Sequence, residues 1–594
     1  MYNSGGIYAS VDIAANGSAT ASQNYVSFRS QHESQPNANY RAWRALVGIG
    51  CIPVYDPAGV AMAFALQKGS QMLVGYVSDE NYVALGGVEL EFENEVGSVA
   101  ACSRVTGAIH ANLKPGPYRV SIGLAGYGAK RVAMTVVADR PYQFRLLSDR
   151  MIGFMWPKCV RAGQTAEYCA HSIEAFRLDV WRYGWRKHFV KSFGWCGEHA
   201  PRAMAQIIPD GDFAQSGVAW NREGYSLQYQ KHAVTAPATS GLYYLHARTR
   251  TGQFCSFPWI VSPAVPQAKI AVIASTMTWN AYNSFGGRSN YFNQAGLPDR
   301  PVLNARQDVE RYTAADVWPY TQTAAPLSFE RPEPASEIPE NAEITDPIQG
   351  RTESCFAPGL WRLLGWLDRE EFQCDLYSDV QLHFGELPLD DYQVLVLDNH
   401  PEYWSPEMYQ LVKSWVFERG GKLLYLGGCG LYAEADLPDE RTMLCRREGV
   451  FEMRRDTPDH LLGVSYSHTG FQTGAPYRVL DDAHWAFAGT GLKNGDLFGG
   501  QSLHERCPGG ASAHELDKIG PHAPPHLAHL AKGDNPDHAG ADLVCFDTPS
   551  GGGVFSTGSL TWTLSLPVDD DVSRITANVL CRWTDKEIQL CDTN

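Results

Sequence analysis

A histidine and a glutamate two residues apart, His400-Pro-Glu402, stand where a wholly apolar run breaks into polar residues. Val394 to Leu397 shows no alternation, so it reads as a strand covered on both faces. Ser405 and Pro406 supply an N-cap and a first-turn residue, and Met408, Leu411, Val412, Trp415 and Val416 follow at helical spacing. Gly420-Gly421 ends that helix before a second buried strand at Leu423 to Leu426, giving a β-α-β unit with parallel pairing. His400 and Glu402 therefore fall at a strand's carboxyl end, where open α/β sheets bind ligands. The pair reads as functional rather than as two solvated loop residues.

Three further groups compete for chemistry. Gly427-Gly-Cys-Gly-Leu follows the second strand and approaches a nucleophile elbow, with Leu431 in the place of the last glycine. Its cysteine lacks a histidine in a recognisable dyad motif, so Cys429 is expected at the rim of the site rather than as a nucleophile. His514, His522, His526 and His529 are spaced closely enough for zinc, but Pro524 and Pro525 oppose a helix that would present them together. Glu515 and Asp517 form a carboxylate pair after the Gly509-Gly510 turn and can reach back to the strand-end pocket.

The elements that must position these groups form a third region of the chain. Residues 1 to about 70 are rich in Ser, Asn, Gly and Ala and carry no assignable period. Val88, Leu90 and Phe92 alternate with glutamates, Lys114-Pro-Gly-Pro turns before Tyr118, Val120 and Ile122, and Val132, Met134 and Val136 follow, which predicts a small antiparallel sandwich to about Val137. Phe176, Leu178, Val180 and the run Ser240 to Arg248 predict a second, immunoglobulin-like sandwich. Trp181, Tyr183 and Trp185 within it read as packing rather than as a carbohydrate platform.

Pro263 and Pro266 mark a linker, and Lys269 to Ser275 opens the α/β region with a buried strand. A glycine-containing loop with Tyr282 and Tyr291 is expected directly after that strand. Residues 326 to 350, rich in Pro and Glu, read as an excursion or lid. Leu360, Leu363, Leu364 and Leu367 mark a helix, Cys374 to Ser378 a strand, and Val572, Ile575, Val579 and Leu580 a closing helix. The expected architecture is multidomain: 1–150 with a small β-sandwich, 151–265 an immunoglobulin-like sandwich, 266–594 an α/β catalytic domain.

The 594 residues carry a net charge of -16, which opposes nucleic acid or an anionic membrane as the main partner, since either needs a basic face. Fourteen cysteines without a C-x-x-C pair, and an N-terminus without a leader pattern, predict a soluble cytoplasmic protein with free thiols.

Asn280-Ala-Tyr-Asn, Gly286-Gly-Arg-Ser-Asn-Tyr, Arg300-Pro-Val-Leu-Asn, His400-Pro-Glu-Tyr-Trp, Gly427-Gly-Cys-Gly-Leu-Tyr and Val554-Phe-Ser-Thr-Gly-Ser-Leu-Thr-Trp occur in that order. Together they resemble the large (beta) subunit of the N,N-dimethylformamidase family, over about residues 155 to 585. The resemblance implies an α/β domain similar to a class I glutamine amidotransferase fold without its cysteine chemistry. It also implies a mononuclear, ferric iron held by two tyrosines and a glutamate, matching Tyr282, Tyr291 and Glu402 here, with Tyr320 as a rival to Tyr291. His400 would stand behind the ligands, and Glu515 in Ala-His-Glu-Leu-Asp would be the acid/base. Cys429 departs from the asparagine that the family carries there, the acidic segment 330–346 is unusual, and a lectin-like N-terminal domain has no counterpart.

Phenolate and carboxylate are hard ligands that suit ferric iron acting as a Lewis acid on an amide carbonyl and a water. The expectation is hydrolysis of a small or N-substituted amide by a homo-oligomer, with a small partner subunit. The competing expectations are a β-rich binding protein with an inactive α/β domain, and a cysteine-dependent amidotransferase-like enzyme.

Overall fold

A computed structural model of the chain describes residues 72–196, 210–217, 231–303, 324–348, 354–448 and 457–586; the unassigned stretch 1–70 lies outside them. The protein is multidomain and strand-rich. Period-two sequence gives the first β layer its inner face: Leu90 and Phe92 of Glu89–Asn94, and Val120 and Ile122 of Gly116–Gly123, are fully buried while their neighbours face outward. Four strands make this sheet, and a three-stranded sheet of Ala108–Ala111, Met72–Ser78 and Tyr142–Arg145 shares its core. Two features differ from the alternation-based reading. The layer runs on to Arg145, and Tyr142–Arg145 pairs parallel with Met72–Ser78, so the sandwich is not purely antiparallel.

The second β region follows its pattern closely. Phe176–Tyr183 buries Phe176, Leu178 and Val180, and lies in a five-stranded sheet that shares a core with the three strands Ile152–Trp156, Thr165–His171 and Lys231–Thr235. Tyr183 turns instead to the third region, where its ring lies 5.0 Å from that of Trp361. Trp361 donates its indole N–H to the Gly184 carbonyl at 2.9 Å, and Trp181 stacks on His246, which is packing and not a sugar platform.

The third region is built on nine strands: β1 (Ile270–Ala274), β2 (Cys374–Ser378), β3 (Val394–Asn399), β4 (Lys422–Gly427), β5 (Tyr477–Val479), β6 (Leu497–Phe498), β7 (Ala528–Gly533), β8 (Asp542–Asp547) and β9 (Gly553–Ser556). Their spatial order is β2-β1-β3-β4-β9-β8-β7-β5-β6. The first five are parallel and the remainder antiparallel. Four helices matter for the site: α1 (Thr276–Tyr282), α2 (Ala357–Arg369), α3 (Pro406–Arg419) and α4 (Asp570–Thr584).

The parallel half is held by burial from both sides. Every residue of β3 is buried, and each aliphatic side chain among Val394 to Leu397 contributes about 1.5–3 kcal/mol of transfer free energy. Helix α3 starts as the sequence predicts: the Ser405 hydroxyl accepts from the Met408 amide, Pro406 stands in the first turn, and Gly420 closes the helix at φ 82°. The chain enters at β1, steps out to β2, then returns past β1 to β3 and β4. This reversal leaves a crevice at the carboxyl ends of β1 and β3, where doubly wound sheets bind their ligands.

The segment 326–350 is no lid in its described part. Ile338 and Ile344 are buried, the Ser256 hydroxyl donates to the Ile338 carbonyl and accepts from its amide, and Tyr244 donates to the Ser336 carbonyl. It is a strap between the second sandwich and the α/β sheet. No helix among the described residues is long and apolar enough to cross a membrane.

Candidate functional site

At the end of β1 the chain does not loop but turns at once into α1, with Tyr282 as its last residue. All seven residues of α1 are buried, so it has no polar face and no amphipathic period to read. Beyond it, Gly286 and Gly287 adopt φ of 99° and 93°; a Cβ on Gly287 would meet that of Tyr82 at 2.4 Å, so the turn needs glycine. The turn folds the chain back until the Asn290 amide donates to the Ala281 carbonyl at 2.8 Å. Tyr291 is thereby laid beside Tyr282, with ring centroids 4.3 Å apart.

A buried arginine fixes this turn. The guanidinium of Arg331, on the strap, donates to the carbonyls of Asn280, Phe285 and Arg288 and to the Asn280 side chain. For the Phe285 and Arg288 carbonyls it is the donor that the turn itself does not supply, so the strap and the tyrosine-bearing turn are one structure.

From β3, Asn399 takes φ 47° and turns the chain into His400-Pro401-Glu402. The Glu402 amide rests on the Thr278 hydroxyl of α1 at 3.2 Å, and its carbonyl accepts from the amides of Tyr432 and Ala433. Its carboxylate receives both tyrosines: Tyr282 donates to Oε2 at 2.9 Å and Tyr291 to Oε1 at 2.6 Å. Tyr403 donates in turn to the Tyr291 hydroxyl at 3.2 Å. Tyr282, Glu402 and His400 are buried, whereas Tyr291 is partly exposed and forms the side open to solvent.

The second carboxylate arrives from far along the chain. His514 at φ 73° swings Glu515 to the His400 ring, with Oε2 2.9 Å from Nε2; Nε2 is also 3.4 Å from Glu402 Oε2. The other ring nitrogen, Nδ1, lies 3.0 Å from Cys355 Sγ. Asp517 accepts from the Tyr425 hydroxyl and the Cys429 amide, each at 2.7 Å. Asn399, Cys429, Leu431 and His514 are all non-glycine residues in the left-handed region, at the mouths of the central strands. Such strain, about 1–3 kcal/mol per residue, persists where the surroundings dictate it.

The backbone under Glu515 tolerates no side chain. A Cβ on Gly428 would lie 2.2 Å from the Glu515 carbonyl oxygen and 2.7 Å from the Leu560 amide. Gly428→Ala is therefore expected to lower stability by about 1–3 kcal/mol and to displace Glu515, read as a lower melting temperature. An unchanged melting temperature would show that the two segments are not held together this way.

The charges are concentrated and dry. Burial, together with the neighbouring Glu515, raises the Glu402 pKa above the ordinary carboxylate range, against the opposing pull of His400 and both tyrosines. Burial pushes Asp517 up to about 6. Burial disfavours a charged His400, but Cys355 and Glu515 outweigh it and hold the imidazole well above its usual range. The Cys429 thiol is driven far up by burial and then by Glu515, Glu402 and Asp517. Cys429 is not at the rim: ligand atoms of His400, Glu402 and Cys429 all lie within 4.8 Å of one another, the one such His/Cys/Asp/Glu group among the described residues.

The structure thus brings together Tyr282, Tyr291, Glu402, His400 and Glu515. Tyr320 lies outside the described residues. The histidine cluster disperses: His514 is buried near the site, His522 faces Asp459, His526 meets the Asp547 carbonyl and His529 pairs with Asp542. Sequence reasoning missed Cys355, Thr278, Tyr403 and Arg331. Tyr403 stood inside the His400-Pro-Glu-Tyr-Trp motif and was open to notice; the others carry no local signal.

The family profile described as N,N-dimethylformamidase beta subunit-like, C-terminal, matches residues 177–575. The chain is 26% identical over 391 residues to the N,N-dimethylformamidase beta subunit of Paracoccus aminophilus, covering 54% of this chain and 49% of that one. It is 25% identical over 409 residues to the subunit of the same name from Alcaligenes sp, covering 56% and 50%. The chain spans about half the length of the curated relatives it matches. Among solved structures, a DUF3823 family protein from Bacteroides ovatus is 11% identical over 31% of this chain and 98% of that one, with a TM-score of 0.12, too low to bear on fold or function.

Proposed function

The chain belongs to the N,N-dimethylformamidase beta subunit-like family, and from that premise we propose that it is a metal-dependent hydrolase cleaving the C–N bond of a small or N-substituted amide. One observation carries the reading: two tyrosine hydroxyls meet the two oxygens of a single buried carboxylate, with a histidine–glutamate pair against its flank. Tyr282, Tyr291 and Glu402 are the residues that would hold the metal. The donor set fits a ferric ion, since it offers three hard oxygens on three different segments in a buried, acid-rich pocket. Bound there, such an ion supplies Lewis acidity for a carbonyl and a water.

The remaining chemistry belongs to the chain. Hydrolysis adds water across the C–N bond, so a proton must leave the water and reach the departing nitrogen. Glu515 is the group for both transfers: it takes the proton from water and returns it to the amine. His400 bridges Glu515 and Glu402 and keeps the two carboxylates at a fixed separation. The doubly wound order supports a likeness to the class I glutamine amidotransferase fold, with 266–594 as its extent, after a region 1–150 that includes a small β-sandwich and an immunoglobulin-like sandwich at 151–265. The name beta subunit, borne by both relatives, supports a partner subunit here.

Metal analysis of the purified chain tests the reading. Expected are bound iron, a visible tyrosinate-to-iron absorption band, and turnover of at least one amide from a panel of formamides, acetamides and bulkier N-alkyl amides. Active protein holding zinc and no iron would overturn the metal, and iron-loaded protein inert toward the whole panel would overturn the reaction.

A further inference from the structure

We propose that Cys355 is a positioning residue of this site: its thiol holds the Nδ1 edge of the His400 ring and so presents Nε2 to Glu515 and Glu402 together. The role of those carboxylates rests on the amide-hydrolase reading; the ring's anchorage rests on geometry. Cys355 and His400 are 45 residues apart, and their contact, 3.0 Å between Sγ and Nδ1, is made between side chains that are 2% and 0% exposed.

The opposite edge of the ring explains why an anchor is needed. Nε2 faces two carboxylate oxygens, at 2.9 and 3.4 Å, so the edge that the ring shows to Glu515 and Glu402 depends on how the ring is held. The ring's hydrogen-bonded edge is Nδ1, against Cys355 Sγ, so its orientation is set by what Nδ1 meets. The terminal torsion of histidine is broad and roughly two-fold, so an unanchored ring can turn over and withdraw Nε2 from Glu515.

The fold holds the sulfur still. Cys355 lies in the turn that opens α2, where a Cβ on Gly359 would stand 2.2 Å from the Ser354 carbonyl oxygen and 2.9 Å from the Asn399 side chain. Helix α2 is thus seated directly on the end of β3, and Cys355 moves only if that seat moves. On its other side the site is closed by Cys429, whose backbone is tied to Asp517.

Three variants of the full chain test this: Cys355→Ala, Cys355→Val, which fills the space without a hydrogen bond, and Cys355→Ser, which restores a donor and acceptor. In Ala and Val, kcat on the best amide is expected to fall about 10- to 100-fold with KM little changed, while iron and the visible band are retained; Ser is expected to recover most of the loss. Crystal structures of Val and Ser give a readout free of turnover, with the His400 ring turned away from Glu515 in Val and in place in Ser. Wild-type ring orientation and turnover in Cys355→Val would overturn the proposal, as would a loss that Ser does not rescue. If the wild-type chain hydrolyses no amide, the functional reading falls and the ring orientation alone decides the role of Cys355. If Ala does not fold, Val carries the comparison.

Discussion

Changing Glu515 to glutamine is expected to lower amide turnover by roughly two to four orders of magnitude while leaving iron and fold in place, the range that follows loss of a general acid/base. The substitution is close to isosteric, so its side chain can keep the place 2.9 Å from His400 Nε2 that the carboxylate occupies. What it cannot do is take up a proton at neutral pH and hand it on. The backbone carbonyl of Glu515, which accepts from the Leu560 amide, is untouched. The measurement is kcat on the best amide, with iron content and melting temperature in parallel. Wild-type turnover would remove Glu515 from the reaction. If Cys429→Ser abolishes turnover and Glu515→Gln does not, the reaction runs through a thiol instead.

Glu402→Ala is expected to abolish iron binding and the visible band, because it removes the one group on which both tyrosine hydroxyls converge. Both hydroxyls lose that acceptor, which costs about 1–3 kcal/mol for each group left unsatisfied, so a lower melting temperature accompanies the loss. The β layers, whose cores lie elsewhere, are expected to stay folded, as circular dichroism would report. Retained iron in Glu402→Ala would move the metal away from this cluster. Tyr291→Phe and Tyr320→Phe separate the two candidates for the second tyrosine, and loss of the band in Tyr320→Phe alone would reassign it.

How much of this was legible in the sequence depended on whether a residue's partners were local. The buried run Val394 to Leu397, the Ser405-Pro406 start and the Gly420 stop were each readable because burial on both sheet faces and helix capping act within a few residues. Placing His400 and Glu402 at a strand end followed from the same signals. Helix α1 was not legible: Thr276 to Tyr282 is covered all round, so it looked like a loop. The strap read as an excursion or lid because its prolines and glutamates are those of a solvated segment; its cohesion comes from Arg331, Tyr244 and Ser256, all supplied by distant contacts. Cys355 had no signal, since nothing within the turn before α2 says that a histidine 45 residues on will lie against its sulfur.

The distances along the chain that separate the site's members have a consequence for the order of events at synthesis. Glu402 follows Tyr282 by 120 residues and Tyr291 by 111. At about 5–20 residues per second, the tyrosines leave the ribosome about 6–24 s before the carboxylate that joins them. The strand β3 that carries Glu402 emerges with it, so neither the crevice nor its third oxygen exists during that interval. Glu515 comes later still, after β4 and the segments beyond it. The nascent tyrosine pair is therefore an incomplete oxygen set, and the pocket becomes complete only when the central strands have paired, so on the proposed reading a metal would enter after the sheet closes rather than during its growth.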